Sequence, residues 1–317
     1  VTKTNRFTLI ATVLLGILLY TILQFAHDLN VAWDGSPLEP PAKTSNQHAT
    51  TVPRITGAVD LHNMFADGAL DAALNDYAAW SDARGFAGNN RLFAAPVDTP
   101  SNLPADMDET ALRTRSEAGD VTATQALAAQ MLFADPFAAI ALFRRAAEQG
   151  STFALLRIGS LLAAIDTADA YNEATSSAPR QRIADLIEPG LNHSLRLTAF
   201  GYMVTALRDG GAPIVDHDLL NWLDRINDSV TNDERLAVCR WSERTLMEIA
   251  KRRVRWGKPA VTTITPKMFF AIPDLAERLP CRRTVHPIDN LMDLTHCTVS
   301  KVRNAADQDL DLYICKK

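Results

Sequence analysis

The stretch EAGDVTATQALAAQMLFAD (Glu117–Asp135) runs directly into PFAAIALFRRAAEQGSTFALLRIGSLLAA (Pro136–Ala164). Superimposing Gly119 on Gly150 aligns Ala118-Gly119-Asp120 with Gln149-Gly150-Ser151. The same 31-residue shift brings Ala123 onto Ala154, Leu127 onto Ile158 and Ala128 onto Gly159. Self-similarity at a period of this size, with two helices per unit, is the sequence sign of a helical solenoid. Small residues at matched sites let neighbouring helices approach closely, and a glycine between helices supplies a tight turn. Gly119, Gly150 and Gly159 are the expected repeat-turn residues.

Within this stretch, Ala139–Gly159 carries the core FRRAAEQG and ends in the pattern Ala-xxx-Ile-Gly. It resembles a Sel-like repeat, a variant of the tetratricopeptide helix pair, over residues 118–164. The first unit departs from the family pattern at Ala128, where the family's helix normally carries glycine. The resemblance implies a curved α/α array that acts as an interaction scaffold. It implies no reaction.

Further helices are expected on both sides. Upstream, Leu70, Leu74, Tyr77 and Ala78 recur at helical spacing in Gly68–Gly85, and Gly85 and Gly88 suit its C-terminal stop. Downstream, 179–187, 194–208, 216–226 and 232–256 read as helices. Pro189-Gly190, Asp209-Gly210-Gly211 with Pro213, and 228–231 separate them. Asp216 and Thr231 are suitable N-caps. These helices are expected to continue the array in degenerate form, the alternative being that they close it as a cap.

At the N-terminal end, Phe7–Ala26 holds twenty residues without a charge. As a helix it spans about 30 Å, the thickness of a hydrocarbon core. Lys3 and Arg6 precede it, and no Lys or Arg follows until Lys43, so the positive-inside bias puts the N-terminus in the cytoplasm. A cleaved signal peptide and a buried core helix are the competing readings. The apolar run is long for a signal peptide, and a cut after Ala26 places Gln24 at −3. Pro37, Pro40, Pro41 and Pro53 then sit in a polar stretch that buries little apolar surface, which suits a spacer.

After Gly257 the texture changes, with prolines at 259, 266, 273, 280 and 287 and a β-rich Val261–Ile264. HCTVSKVR and LDLYIC flank a polar turn and read as two strands. A hairpin pivoting near Ala306 sets Cys297 opposite Cys315, nine residues to either side. The usual cross-strand spacing is somewhat long for a bridge. Cys239 is then left for Cys281, although four cysteines allow three connectivities. Such bonds would staple a small module with little core onto the last helix.

The chain has 47% hydrophobic and 22% charged residues and a net charge of −5. No overall basic field recruits nucleic acid. His286, Asp289, Asp293, His296 and Cys297 cluster in sequence, but they carry no HExxH or paired CxxC spacing, so no metal or cofactor is expected. No G-x-S-x-G or phosphate-binding glycine loop occurs, and no catalytic residue is assigned. Lys251, Arg252, Arg253, Arg255 and Lys258 surround Trp256. This run suits anionic headgroups or an acidic partner, or else simply offsets the carbonyl dipole at a helix end. Trp80, with Tyr77 and Phe86, suits either a peptide-binding patch or the core.

The expected fold is mainly α: a single transmembrane helix, an α/α helical-repeat solenoid and a disulfide-containing mixed α/β module. Its division is a cytoplasmic tail (1–6), transmembrane helix (7–26), linker (27–57), helical segment (58–93), linker (94–106), repeat domain (107–256) and cysteine module (257–317). The expected role is a non-enzymatic scaffold on the periplasmic side of a bacterial inner membrane, binding proteins of the cell envelope. Its interaction residues are Trp80, Arg252, Arg253, Arg255 and Trp256. The alternatives are an envelope enzyme or enzyme subunit, or a glycan binder using Trp33, Trp80 or Trp222.

Overall fold

The computed structural model describes residues 68–86, 107–132, 134–172, 185–191, 194–257, 265–273, 275, 281, 297–303 and 309–315. The expected membrane helix and both linkers lie outside them. Among the described residues, no helix is long and apolar enough to cross a membrane. The chain is mainly helical, with a small three-stranded antiparallel sheet and two disulfides.

Helix starts follow local cap chemistry. Helix α1 spans Ala69–Asp82, α2 Glu109–Glu117, α3 Val121–Met131 and α4 Pro136–Glu148. The carboxylates of Asp108, Asp120 and Asp135 accept the unpaired first-turn amides of the last three. Pro136 stands at the head of α4, where the missing N–H costs nothing. Helix α5 spans Thr152–Asn172 and α6 Leu195–Gly210, the latter capped by Ser194. A 3-10 turn (Ala212–Ile214) leads to α7 (His217–Asn227), capped by Asp216. Helix α8 (Asn232–Arg255) opens on a reciprocal capping box between Thr231 and Glu234.

The turns at Gly119 and Gly150 share one geometry. Gly119 N donates to Ser116 O and Asp120 N to Arg115 O; Gly150 N donates to Ala147 O and Ser151 N to Ala146 O. Every partner moves by the same 31 residues. Next, Asp120 Oδ1 accepts from Ala123 N at 3.0 Å, and Ser151 Oγ accepts from Ala154 N at 2.9 Å. Both glycines have positive φ, 87° and 107°, a conformation that disfavours side chains. Gly85 (φ 77°) ends α1 with the same pair of bonds, to Asp82 O and Ser81 O.

Gly159 corrects the expectation of a third turn glycine. It lies inside α5, at the crossing with α6, where a Cβ would meet Met203 Cγ at 2.7 Å and Ala199 O at 3.1 Å. Its hydrogen lets the helices close; it does not turn the chain. Helix α6 is central, with α5 on one side and α8 on another, and is buried around most of its surface. It runs through Asp209 and Gly210, two residues past the expected stop, because Gly211 (φ 69°) is the residue that leaves helical geometry. Of the helix expected over 179–187, the described residues 185–187 form a turn and bend.

The sheet has the order β1-β3-β2, all antiparallel: β1 Met268–Ala271, β2 Cys297–Arg303 and β3 Asp309–Cys315. Cys297 faces Cys315 and Val302 faces Leu310, a register centred on Ala306. Cys297–Cys315 is a disulfide, its Cα atoms drawn to 3.9 Å. Cys239 of α8 bonds Cys281. Strand β1 carries no strand signal in the sequence, and the β-rich run Val261–Ile264 lies outside the described residues. Met268, Phe269 and Leu312 are fully buried, and such side chains stabilise a fold by about 1.5–3 kcal/mol each. The sheet reaches back to the first described helix: Lys267 N donates to Asp76 Oδ2 at 2.7 Å. Among the described residues the larger apolar core therefore runs from Leu70 in α1 to Cys315 in β3, and a smaller one joins Leu112, Ala123 and Leu127 between α2 and α3.

Candidate functional site

The inner face of the α8 C-terminus closes over the glycine turns. Arg253, only 8% exposed, lies against the Gly150 turn. Trp256 covers Gly119, where a Cβ would sit 3.0 Å from the indole. The guanidinium of Arg145 lies 5.6 Å from the centre of that ring. Arg252 forms an ion pair with Glu148 at the end of α4.

Beneath this seam is a charge cluster. Arg84 is 3% exposed, with its guanidinium 4.7 Å over the Trp80 ring. Its Nη1 donates to Trp80 O and its Nε to Asp209 O, both at 3.5 Å. Asp209 is half-buried as a residue, but its carboxylate accepts from the Thr152 hydroxyl and lies in the field of Arg84 and Arg253. Burial raises the Asp209 carboxyl above the usual range, against Thr152, Arg84 and Arg253, which favour the charged form. Burial also lowers both Arg84 and Arg253, opposed in each by Asp209.

Neutral bonds stitch the turns together. Gln125 Nε2 donates to Gly85 O at 3.0 Å, Thr124 Oγ1 to Gln149 Oε1 at 2.9 Å, and Gln149 Nε2 to Ser116 O at 3.3 Å. A second cluster joins α4, α6 and the segment 185–191. Tyr202 OH donates to Glu188 Oε1 at 2.7 Å, while Arg144 Nε donates to Tyr202 OH at 3.1 Å. Arg144 also pairs with Glu188 at 2.9 Å. Burial pushes the Tyr202 phenol well above its ordinary value. Charge compensation between packed helices is the chemistry both clusters offer.

The expected interaction residues divide on this surface. Trp80 is 7% exposed, packed against Tyr77 and Phe86 with ring centres 5.5 Å and 6.5 Å away. It is a core residue carrying Arg84, not an open peptide-binding or glycan-binding aromatic. Arg253 and Trp256 turn inward, and Arg252 is held by Glu148; of the expected set, Arg255 remains on the outer surface. Trp222 is half-buried with Arg225 beside its ring, and Trp33 lies outside the described residues.

The expected set omitted Arg84 and Asp209. Asp209 sits in Asp-Gly-Gly, which reads as a turn, and only the continuation of α6 carries it to Arg84. His286, Asp289, Asp293 and His296 lie outside the described residues, and Cys297 is held in a disulfide. Among the described residues, no group of three or more His, Cys, Asp or Glu side chains is arranged to hold a metal ion.

Comparison of the chain with protein-family models, with curated proteins and with solved structures finds no match.

Proposed function

We propose that this chain is a helical-repeat scaffold of the bacterial cell envelope that binds a partner protein, as an accessory subunit of an envelope complex. In this reading residues 7–26 tether it to the inner membrane, the N-terminus is cytoplasmic and the body is periplasmic. The observation that carries the repeat reading is the shared turn at Gly119 and Gly150, whose hydrogen-bond partners and following caps all correspond after one 31-residue shift. Stacked helix pairs expose an extended surface without needing a preformed cavity, which suits protein binding. The two disulfides support an oxidising compartment: Cys239–Cys281 ties the segment at 281 to α8, and Cys297–Cys315 closes the β2–β3 hairpin.

The test is photo-crosslinking in native membranes from positions 113, 130 and 141, three exposed sites along α2, α3 and α4. Mild-detergent purification and mass spectrometry follow. The expected result is one stoichiometric envelope protein crosslinked from at least two of these positions. Purification of the chain alone, with no crosslinked product from any position, overturns the scaffold reading.

A further inference from the structure

We propose that the outer face of α8 docks onto an anionic lipid surface, independently of any partner protein held by the helical body. Arg240, Arg244, Met247, Lys251, Val254 and Arg255 follow one another at three- and four-residue steps, except for the adjacent last pair. That spacing sets them on one helix face. All six are exposed, while Cys239, Ser242 and Arg253 on the opposite face are buried. At 1.5 Å per residue the stripe is about 22 Å long.

Its composition is not that of an ordinary solvated face. The whole chain carries a net charge of −5, yet this stripe holds four cations. Beside it Glu248 pairs with Lys251 at 2.7 Å, and at its margin the half-buried Glu243 faces Arg208. Met247 is 52% exposed and Val254 70%, two of the three large hydrophobic side chains left open among the described residues. The helix dipole accounts for cations in the last turn, because its field falls off within that turn. It accounts neither for Arg240 and Arg244, which lie further upstream, nor for the apolar pair set between the cations.

A lipid surface uses all of these features together. Long cationic stems lie along the apolar layer while their heads stay at the phosphates. Met247 and Val254 enter the headgroup boundary, and the cations gain from the negative surface potential. The cations are spread along the length of the stripe, with the two apolar side chains between them. An acidic polypeptide would engage the cations and leave the exposed Met247 and Val254 without a role.

The test uses the full chain in vesicles of phosphatidylcholine alone, or of equal parts phosphatidylcholine and phosphatidylglycerol. An environment-sensitive fluorophore is attached through Val254→Cys and, in a second protein, through Met247→Cys. Because the probe reports the stripe itself, insertion of any other segment gives no signal. The expected result is a blue shift and quenching by spin-labelled lipid at both positions, only with phosphatidylglycerol and reversed by molar salt, where screening acts within about 3 Å. Arg240→Gln with Lys251→Gln lowers the ratio of docked to free stripe about 30-fold, at roughly fivefold per cation. An unchanged probe on phosphatidylglycerol vesicles at both positions overturns the proposal. So does a response to polyglutamate without a response to the anionic lipid, which would assign the stripe to an acidic polypeptide.

Discussion

The guanidinium of Arg253 occupies the space beside the Cα of Gly150, so that a Cβ on that glycine would lie 1.2 Å from Arg253 Nη1. The last turn of α8 and the turn between α4 and α5 are therefore fitted to one another across about a hundred residues of chain. Glycine is needed twice at this position, for its φ of 107° and for the room it leaves.

Gly150→Ala is expected to destabilise the fold by about 3 kcal/mol, combining backbone strain with the displacement of Arg253. The comparison is Gly257→Ala, where φ is 66° but a Cβ meets nothing within 4 Å. That substitution carries the conformational cost alone, about 1–2 kcal/mol. Urea denaturation of both proteins decides the matter. Equal losses would mean that Arg253 can leave its place without consequence.

Local chemistry made part of this fold legible. The caps at Asp216 and Thr231, the turns at Gly119 and Gly150, and the cysteines set symmetrically about Ala306 all declare themselves within a few residues. What was hidden depends on distant packing. Asp209 reads as part of an Asp-Gly-Gly turn until α6 is seen to continue through it. The run MFFA has no alternation to mark it as a strand, and it becomes one by pairing with β3 and packing near α1. The inward turn of Arg253 and Trp256 is likewise set by glycine turns far away in sequence, so their charge and aromaticity alone suggested an open surface. Gly159 lies at a helix crossing and not at a turn, a distinction its small size does not reveal, since close helix crossing and chain reversal both select small residues.

Asp209 gives stability a pH dependence of definite sign. Its folded carboxyl holds its proton above the ordinary Asp value, so the folded state binds more protons than the unfolded state in that window. This group's contribution is fully present below about pH 4 and is lost as pH rises through the raised value. Asp209→Asn removes the titration, although it also removes a counter-charge from Arg84 and Arg253. The stability of the variant relative to wild type is therefore expected to increase from acid toward neutral pH. Denaturation midpoints measured across that range test it, and a difference that falls with pH would refute the assignment.

The two disulfides close loops of different length. Cys239–Cys281 spans 42 residues and Cys297–Cys315 spans 18. Chain entropy then predicts losses of about 4 and 3 kcal/mol when each pair is replaced by alanine. The functional consequences should also separate. Without Cys239–Cys281 the segment around 281 loses its bond to α8, whereas without Cys297–Cys315 the hairpin keeps its ladder. Limited proteolysis should cut the first variant faster near Cys281. Similar cleavage of the two variants there would show that packing alone holds this segment.

Tyr202 carries the last test, because its hydroxyl donates to Glu188 while accepting from Arg144. Tyr202→Phe removes both bonds, leaves the Arg144–Glu188 pair in place, and is expected to cost about 1–2 kcal/mol. The phenol's folded value is raised, chiefly by burial, so its stabilising contribution is complete below about pH 10 and is lost only as pH passes through the raised value. In the folded wild type this tyrosine should contribute nothing to the phenolate absorbance that develops near pH 10. The amplitude of that step should therefore be the same in wild type and Tyr202→Phe. A smaller step in the variant would mean that Tyr202 ionises with ordinary phenols, and that α4, α6 and residues 185–191 do not enclose it.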